Sequence, residues 1–176
     1  MENKALEVLM TRRSIRQYKK EQIKDEELKA VLDAGIYAPN GMGKQDSWIV
    51  AVQNKEIIDR LVRMNAEVMG ANGNPYYDAP TIVLVFGSKP ENWANAYYDG
   101  ALVLGNMMNA AHALGLGSCW INREIQMFNT SEGKELMKKF GLPDGLMGIG
   151  AIALGYPVGK APEAKPRKKD YYRIIK

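Results

Sequence analysis

Between Asp99 and Leu114 the chain reads DGALVLGNMMNAAHAL, a stretch with the length and alanine content of an α-helix that is apolar nearly all the way round. Such a helix is buried on every side, either inside a core or at a contact between subunits. It therefore requires the rest of a 176-residue chain to fold around it. That length predicts one compact domain, since domains usually run to about 100–200 residues. The glycines, asparagines and histidine of the neighbouring sequence argue against a membrane span. With 46% hydrophobic and 25% charged residues, the composition is that of a globular protein and excludes a disordered tail, a collagen-like fibre or a low-complexity scaffold.

The other elements follow from periodicity. Leu6, Leu9 and Met10 mark a short first helix, and Leu28, Val31, Leu32 and Ile36 predict a second over Asp25–Gly35. Trp48–Val52 reads as a buried strand, after which Asn54 caps a helix faced by Ile57, Ile58, Leu61 and Val62. Thr81–Phe86 is the clearest strand, and Ser118–Ile121 and Ile149–Leu154 are two more. Ser131–Phe140 is amphipathic, and Tyr171–Ile175 has strand-like letters. Helices wrapping a few strands make an α+β class, with no repeat or linker that would divide the chain.

A net charge of +4 favours an anionic ligand but is too small to argue for nucleic acid. Cys119 and His112 are each alone, which excludes an intrachain disulfide, a cysteine metal cluster and a two-histidine mechanism. Their plain readings are a small core residue and a packed histidine with one partner. The N-terminal letters lack the continuous apolar stretch of a signal peptide, which points to the cytoplasm.

Three segments could carry chemistry. In an extended Arg12-Arg13-Ser14-Ile15-Arg16, side chains alternate, so Arg12, Ser14 and Arg16 project together. Two guanidiniums with a hydroxyl between them suit a phosphate monoester. The same letters also make a solvated basic turn, as do Arg167-Lys168-Lys169 in the tail. The loop Ala38-Pro39-Asn40-Gly41-Met42-Gly43-Lys44-Gln45 lets backbone and amides approach a flat heterocycle, or merely joins a helix to a strand. Gly115–Ile121 stops the apolar helix and starts a strand. Gly148-Ile-Gly150-Ala-Ile-Ala153 matches a dinucleotide-binding glycine spacing by letter, but it lies inside a strand and is discounted.

Taken in order, RRSIR, APNGMGKQDSW, DAPTIVLV, ANAYYDGALVLGNMMNAAHALGLGSCWI, GIGAIALGYP and PRKK resemble the FMN-dependent nitroreductase family, in the short form common in anaerobic bacteria. The resemblance implies a three-layer α+β sandwich with a central, mainly antiparallel sheet flanked by helices. It also implies a homodimer with tightly bound FMN at the interface and a tail, about 160–176, reaching across to the partner. By the same resemblance, Arg12, Arg13 and Ser14 belong to the phosphate and ribityl end of the flavin and Arg16 to its pyrimidine edge. Pro39, Asn40, Gly41 and Gln45 match a loop that contacts FMN from the other subunit. Trp120, Ile121 and Asn122 match the segment lying against the isoalloxazine, and Arg167 a late basic residue that closes on the phosphate. The implied activity is ping-pong hydride transfer from NADH or NADPH through flavin N5 to an electron-poor small molecule such as a nitroaromatic or quinone. Dehalogenation, enone reduction, flavin fragmentation or mere flavin binding are the alternatives on this fold. No catalytic side chain, metal, nucleic acid or membrane is implied. Asn40, Gly43 and the run Gln45-Asp46-Ser47-Trp48 depart from the family's usual letters. The short region between Met64 and Tyr77 suggests an open substrate pocket, or one lined mainly by Asn72, Asn74, Tyr76, Tyr97 and Tyr98.

Overall fold

In the computed structural model, which describes residues 3–176, helices lie on both faces of one four-stranded sheet. The helices are α1 (Lys4–Thr11), α2 (Asp25–Ile36), α3 (Lys55–Met69), α4 (Ala96–Ala113), α5 (Glu124–Asn129) and α6 (Ser131–Lys139). The strands are β1 (Trp48–Val52), β2 (Thr81–Ser88), β3 (Gly117–Ile121) and β4 (Leu146–Gly155). They lie in the order β1-β2-β4-β3, each antiparallel to its neighbours. No helix among the described residues is long and apolar enough to cross a membrane.

The three layers follow from the alternation of strand side chains. In β2, Ile82, Leu84 and Phe86 pack with Leu61 and Met64 of α3, Met127 and Phe128 of α5, and Leu136 of α6. Val83 and Val85 point the other way, toward Val31 of α2 and Val103, Leu104 and Met107 of α4. With both faces covered, β2 is apolar at nearly every position, which is why it was the clearest strand to read. Strand β4 is built of small residues so that neighbours can close in. A Cβ on Gly150 would lie 3.1 Å from the Trp120 ring, and one on Gly148 would lie 2.6 Å from the Glu124 carbonyl oxygen. The glycine spacing that imitates a dinucleotide motif is thus a packing requirement of a central strand.

Two boundaries need correction. Helix α4 begins at Ala96, three residues before Asp99, and β4 begins at Leu146 rather than Ile149. Helix α5 was not anticipated; its six residues are too few to establish a period. Tyr171–Ile175, strand-like by its letters, forms no strand within one copy of the chain and is exposed. Within one copy, helix α4 buries Val103, Leu104 and Met107, while Tyr98 and Leu102 stay 68% and 46% exposed, leaving uncovered a face that the sequence assigns to a core or a subunit contact.

Residue Thr130 joins the two short helices on the far face. Its hydroxyl donates to the Met127 carbonyl at 2.7 Å and accepts from the Gly133 N–H at 3.0 Å, ending α5 and capping α6 together. Losing such a cap costs about 1 kcal/mol. Thr130→Ala should accordingly lower the melting temperature by about 2–4 °C in a chain of this size. Thr130→Ser should restore it, as read by circular dichroism.

Candidate functional site

Leaving α1, the chain turns extended at Arg12 and runs along the open edge of β3. Ser14 forms a parallel bridge to Ser118, and the Ile15 N–H donates to the Ser118 carbonyl at 3.0 Å. Gly117 is where Ile15 presses on the strand, since a Cβ there would lie 2.9 Å from the isoleucine side chain. The Tyr18 hydroxyl stands 2.6 Å from the Ile15 carbonyl and 3.1 Å from that of Ala153, fixing the segment to the sheet. Burial pushes the pKa of this phenol up, so it stays a donor. The basic turn is therefore not free in solvent; it is an added edge of the sheet.

Its three arginines have different surroundings. Arg13 Nη1 is consumed locally, donating to the carbonyls of Met10 at 2.9 Å and Arg12 at 2.7 Å. Among the described residues, Arg12 Nη1 is buried and has no partner, and the buried Ser118 hydroxyl likewise has none. Arg16 is exposed and lies 5.7 Å from the centre of the Tyr77 ring. Hydrogen bonding with Tyr77 raises its pKa further, so it is a permanent cation.

At the other end of β3 the segment Trp120-Ile121-Asn122 lines a groove of about 200 Å³ with Met69, Pro75, Tyr77 and Arg123. Trp120 Nε1 donates to the Asn122 side-chain oxygen at 2.6 Å. Arg123 then takes a left-handed backbone conformation, φ 89°, which an arginine adopts only under constraint. The constraint comes from below. Buried Asn65 donates to the Asn122 carbonyl at 2.9 Å and accepts from Arg123 Nη1 at 3.2 Å. Tyr76, fully buried, donates its hydroxyl to Glu124 Oε1 at 3.1 Å. The expectation that Tyr76 lines a substrate pocket is therefore wrong; its ring is core and its hydroxyl belongs to this network. Burial pushes the Glu124 carboxyl up to about 8.

The loop 38–45 lies elsewhere. Gly41 donates its N–H to Asp99 Oδ1 at 2.9 Å, and Trp93 Nε1 donates to Asp99 Oδ2 at 2.8 Å. Asp99 is the only acid in the apolar helix and is buried, and these two donors are what it is buried for. A side chain at Gly41 would strike the Trp93 ring, its Cβ 2.7 Å away. The departures from the family's letters now have physical reasons. The Asn40 side chain accepts from the Gln45 N–H at 2.9 Å and closes the loop on itself, with Met42 and Gln45 both at positive φ. Asp46 takes the Ser88 N–H at 2.8 Å and its hydroxyl at 2.5 Å, tying the loop's exit to β2. Asn40, Gln45, Asp46 and Ser47 border a cleft of about 130 Å³ with Ile36 and Val103.

The chain thus gathers Arg12, Arg13, Ser14, Arg16, Trp120, Ile121 and Asn122 along β3. Among the described residues, Pro39, Asn40, Gly41 and Gln45 share no hydrogen bond or cleft with them. Arg167 lies in the exposed tail. Sequence reasoning missed Asp99, Asn65 and Glu124. A single acid in an otherwise uncharged helix was a usable signal for Asp99; nothing in the letters marked the other two.

The Nitroreductase family profile matches residues 9–76 and 69–156, which hold both site segments and the whole sheet. The chain belongs to the nitroreductase family. A nitroreductase with bound FMN from Bacteroides fragilis superposes with a TM-score of 0.90 at 32% identity, over 99% of this chain and 100% of that one. Another with bound FMN, from Desulfitobacterium hafniense, gives 0.88 at 26% identity, over 100% of both chains. Among curated proteins, the FMN reductase [NAD(P)H] of Bacillus subtilis is 24% identical over 186 aligned positions, spanning 94% of this chain and 70% of its own. The α+β sandwich and antiparallel sheet are those of the nitroreductase fold.

Proposed function

We propose that this nitroreductase binds FMN along β3 and uses it to pass hydride from NADH or NADPH to an electron-poor acceptor such as a nitroaromatic or quinone. The observation that carries the reading is the buried Arg12 Nη1, unpartnered among the described residues, on the segment whose Ser14 bridges Ser118. A buried guanidinium N–H without an acceptor is costly, and a phosphate oxygen is the acceptor it suits best. The residues present therefore fit the cofactor. Arg12 and Ser14 would take the phosphate end, and Arg13 would add charge. Trp120, Ile121 and Asn122 would border the ring, with Arg16 and Tyr77 at its polar edge.

FMN, when bound, supplies the two-electron chemistry, accepting and releasing hydride at N5. The chain's part is positioning and charge. Arg16 is a permanent cation, so it favours negative charge on whatever its guanidinium faces. No side chain has to give or take a proton, in keeping with a site that gathers arginines, a serine and backbone.

Loop 39–45 would complete the site from a second copy. One copy leaves it apart from β3 while exposing Leu9, Met10, Tyr98 and Leu102 on α1 and α4, and Ile174 and Ile175 in the tail. Contiguous exposed apolar side chains of this kind mark a contact surface. The tail 160–176, with Arg167, would lie across the partner as part of one domain per chain. The reaction belongs in the cytoplasm, where both nicotinamide donors are found.

The test is a visible spectrum of the purified protein, repeated without oxygen after NADH or NADPH. Bleaching, and recovery with a quinone, is the expected result. A flavin reduced only by dithionite would make the protein a binder, and no retained FMN would end the reading. In the same assay Arg16→Ala should slow flavin reduction about tenfold while changing FMN affinity less, since it removes charge from the ring edge and not from the phosphate. Unchanged reduction kinetics would remove that role.

A further inference from the structure

The network below the Asn122 turn is built around an acid that the proposed reaction leaves unused. Glu124 is fully buried, and so are its partner Tyr76 and the neighbouring Asn65. Tyr76 donates to Oε1 at 3.1 Å, while Oε2 is buried with no partner among the described residues. Asn65 stands 3.4 Å from the Tyr76 hydroxyl and spends its stronger bond, at 2.9 Å, on the Asn122 carbonyl. Its side-chain oxygen takes Arg123, the residue held at φ 89°. Behind Glu124, β4 offers only backbone, because Gly148 has no room for a side chain. The chain Glu124–Tyr76–Asn65 thus ends on the peptide that borders the groove of Trp120 and Ile121.

We propose that Glu124 is a positioning residue for the flavin-facing turn 121–123, acting as a neutral acid through Tyr76 and Asn65. The inference rests on the FMN reading above. A carboxylic acid suits the place and a carboxylate does not. A carboxylate here would carry a buried charge on an oxygen with no donor, and its other oxygen has only one. The ionisable groups acting on it are Tyr76 and Arg123; α3 contributes neutral Asn65 and β4 contributes none. Burial is the largest influence and holds the acid protonated through neutral pH, with ionisation near about 8. Once ionised, Glu124 draws water or donors toward Oε2, pulls Tyr76 with it and slackens the hold on Asn122.

The sign follows from linkage. FMN bound against an ordered turn favours the protonated acid, so affinity falls as pH rises through the ionisation and is flat below it. The experiment is FMN binding by fluorescence titration, with the flavin reduction potential measured in parallel, for the wild-type protein and Glu124→Gln. Gln keeps the acceptor for Tyr76 and cannot ionise. From about pH 6.5 to about pH 9.5 the wild-type dissociation constant should rise about tenfold, and that of E124Q less than about threefold. Any titration of the flavin itself is common to both proteins and drops out of the comparison.

Equal pH dependence in the two proteins, or none in the wild type, would overturn the proposal. Should E124Q not fold, Tyr76→Phe serves instead. It removes the hydroxyl that links Glu124 to Asn65, so the pH dependence of FMN binding should flatten as in E124Q; a tenfold rise kept in Tyr76→Phe would also overturn it. Failure to bind FMN at pH 6.5 in the wild type would instead count against the cofactor reading itself, so the two failures are distinguishable.

Discussion

Arg12→Ala should yield a folded protein that loses FMN on gel filtration, with a dissociation constant about 10- to 150-fold above wild type. The range follows from the worth of a hydrogen bond to a charged group, about 1.5–3 kcal/mol, at about 1.4 kcal/mol per tenfold in affinity. Arg12 rather than Arg13 is the position to change, because Arg13 already spends Nη1 on the carbonyls of Met10 and Arg12. Arg12 Nη1 has no acceptor among the described residues. The same fact predicts an opposite effect on the protein without FMN. Removing a buried donor that nothing satisfies should leave its melting temperature unchanged or higher. Riboflavin supplies the control, since it lacks the phosphate and should bind both proteins alike. Equal FMN affinity in wild type and variant would mean that the phosphate lies elsewhere. Weaker riboflavin binding by the variant would mean that Arg12 shapes the ring site instead.

Much of this arrangement could be read from the letters, and the boundary of what could be read is physical. Strand β2 is covered on both faces, so its apolar run has one reading. Helices α2 and α3 carry their acids or caps where the chain turns into them; Asn54 does accept from the Ile57 N–H at 3.0 Å, as its place before the helix implied. His112 has the single partner anticipated for it, the Thr11 hydroxyl at 2.9 Å. What stayed hidden depends on contacts between positions far apart in sequence. Tyr76 looked like a pocket residue because a tyrosine in a polar loop usually is one. Its burial is decided by Glu124, forty-eight residues away. Helix α5 is too short for periodicity and exists because Met127 and Phe128 must reach the core. The strand-like letters of Tyr171–Ile175 form no strand within one copy, where the segment is exposed; pairing is a property of an edge as well as of the letters. The segment 12–16 was legible in another way: the alternation argument assumed an extended backbone, and the bridge of Ser14 to Ser118 supplies it.

The loop 39–45 depends on one buried carboxylate, and removing it should be among the most damaging single changes in the chain. Asp99→Ala leaves the Gly41 N–H and Trp93 Nε1 without acceptors, both of which now satisfy a charge. Each orphaned donor costs about 1–3 kcal/mol, so the pair should cost about 3 kcal/mol or more. For a chain of this size that is a fall of roughly 6–12 °C in melting temperature. Asp99 also stands in the first turn of α4, where an acid is favoured by the helix dipole. That contribution is at most about 1 kcal/mol and cannot produce a fall of this size. Asp99→Asn separates the two causes. It removes the charge, keeps one acceptor oxygen and turns a donor toward Trp93 or Gly41, so it should recover only part of the loss. A dipole effect alone would make Asn and Ala equal. The loop should loosen as well as the fold weaken, because Gly41 is held from above by Asp99 and from the side by the Trp93 ring. Amide exchange at Gly41 should therefore accelerate in Asp99→Ala even well below its melting temperature. An Asp99→Ala protein that melts within about 2 °C of wild type, with Gly41 still protected, would show that packing against Trp93 holds the loop without the carboxylate.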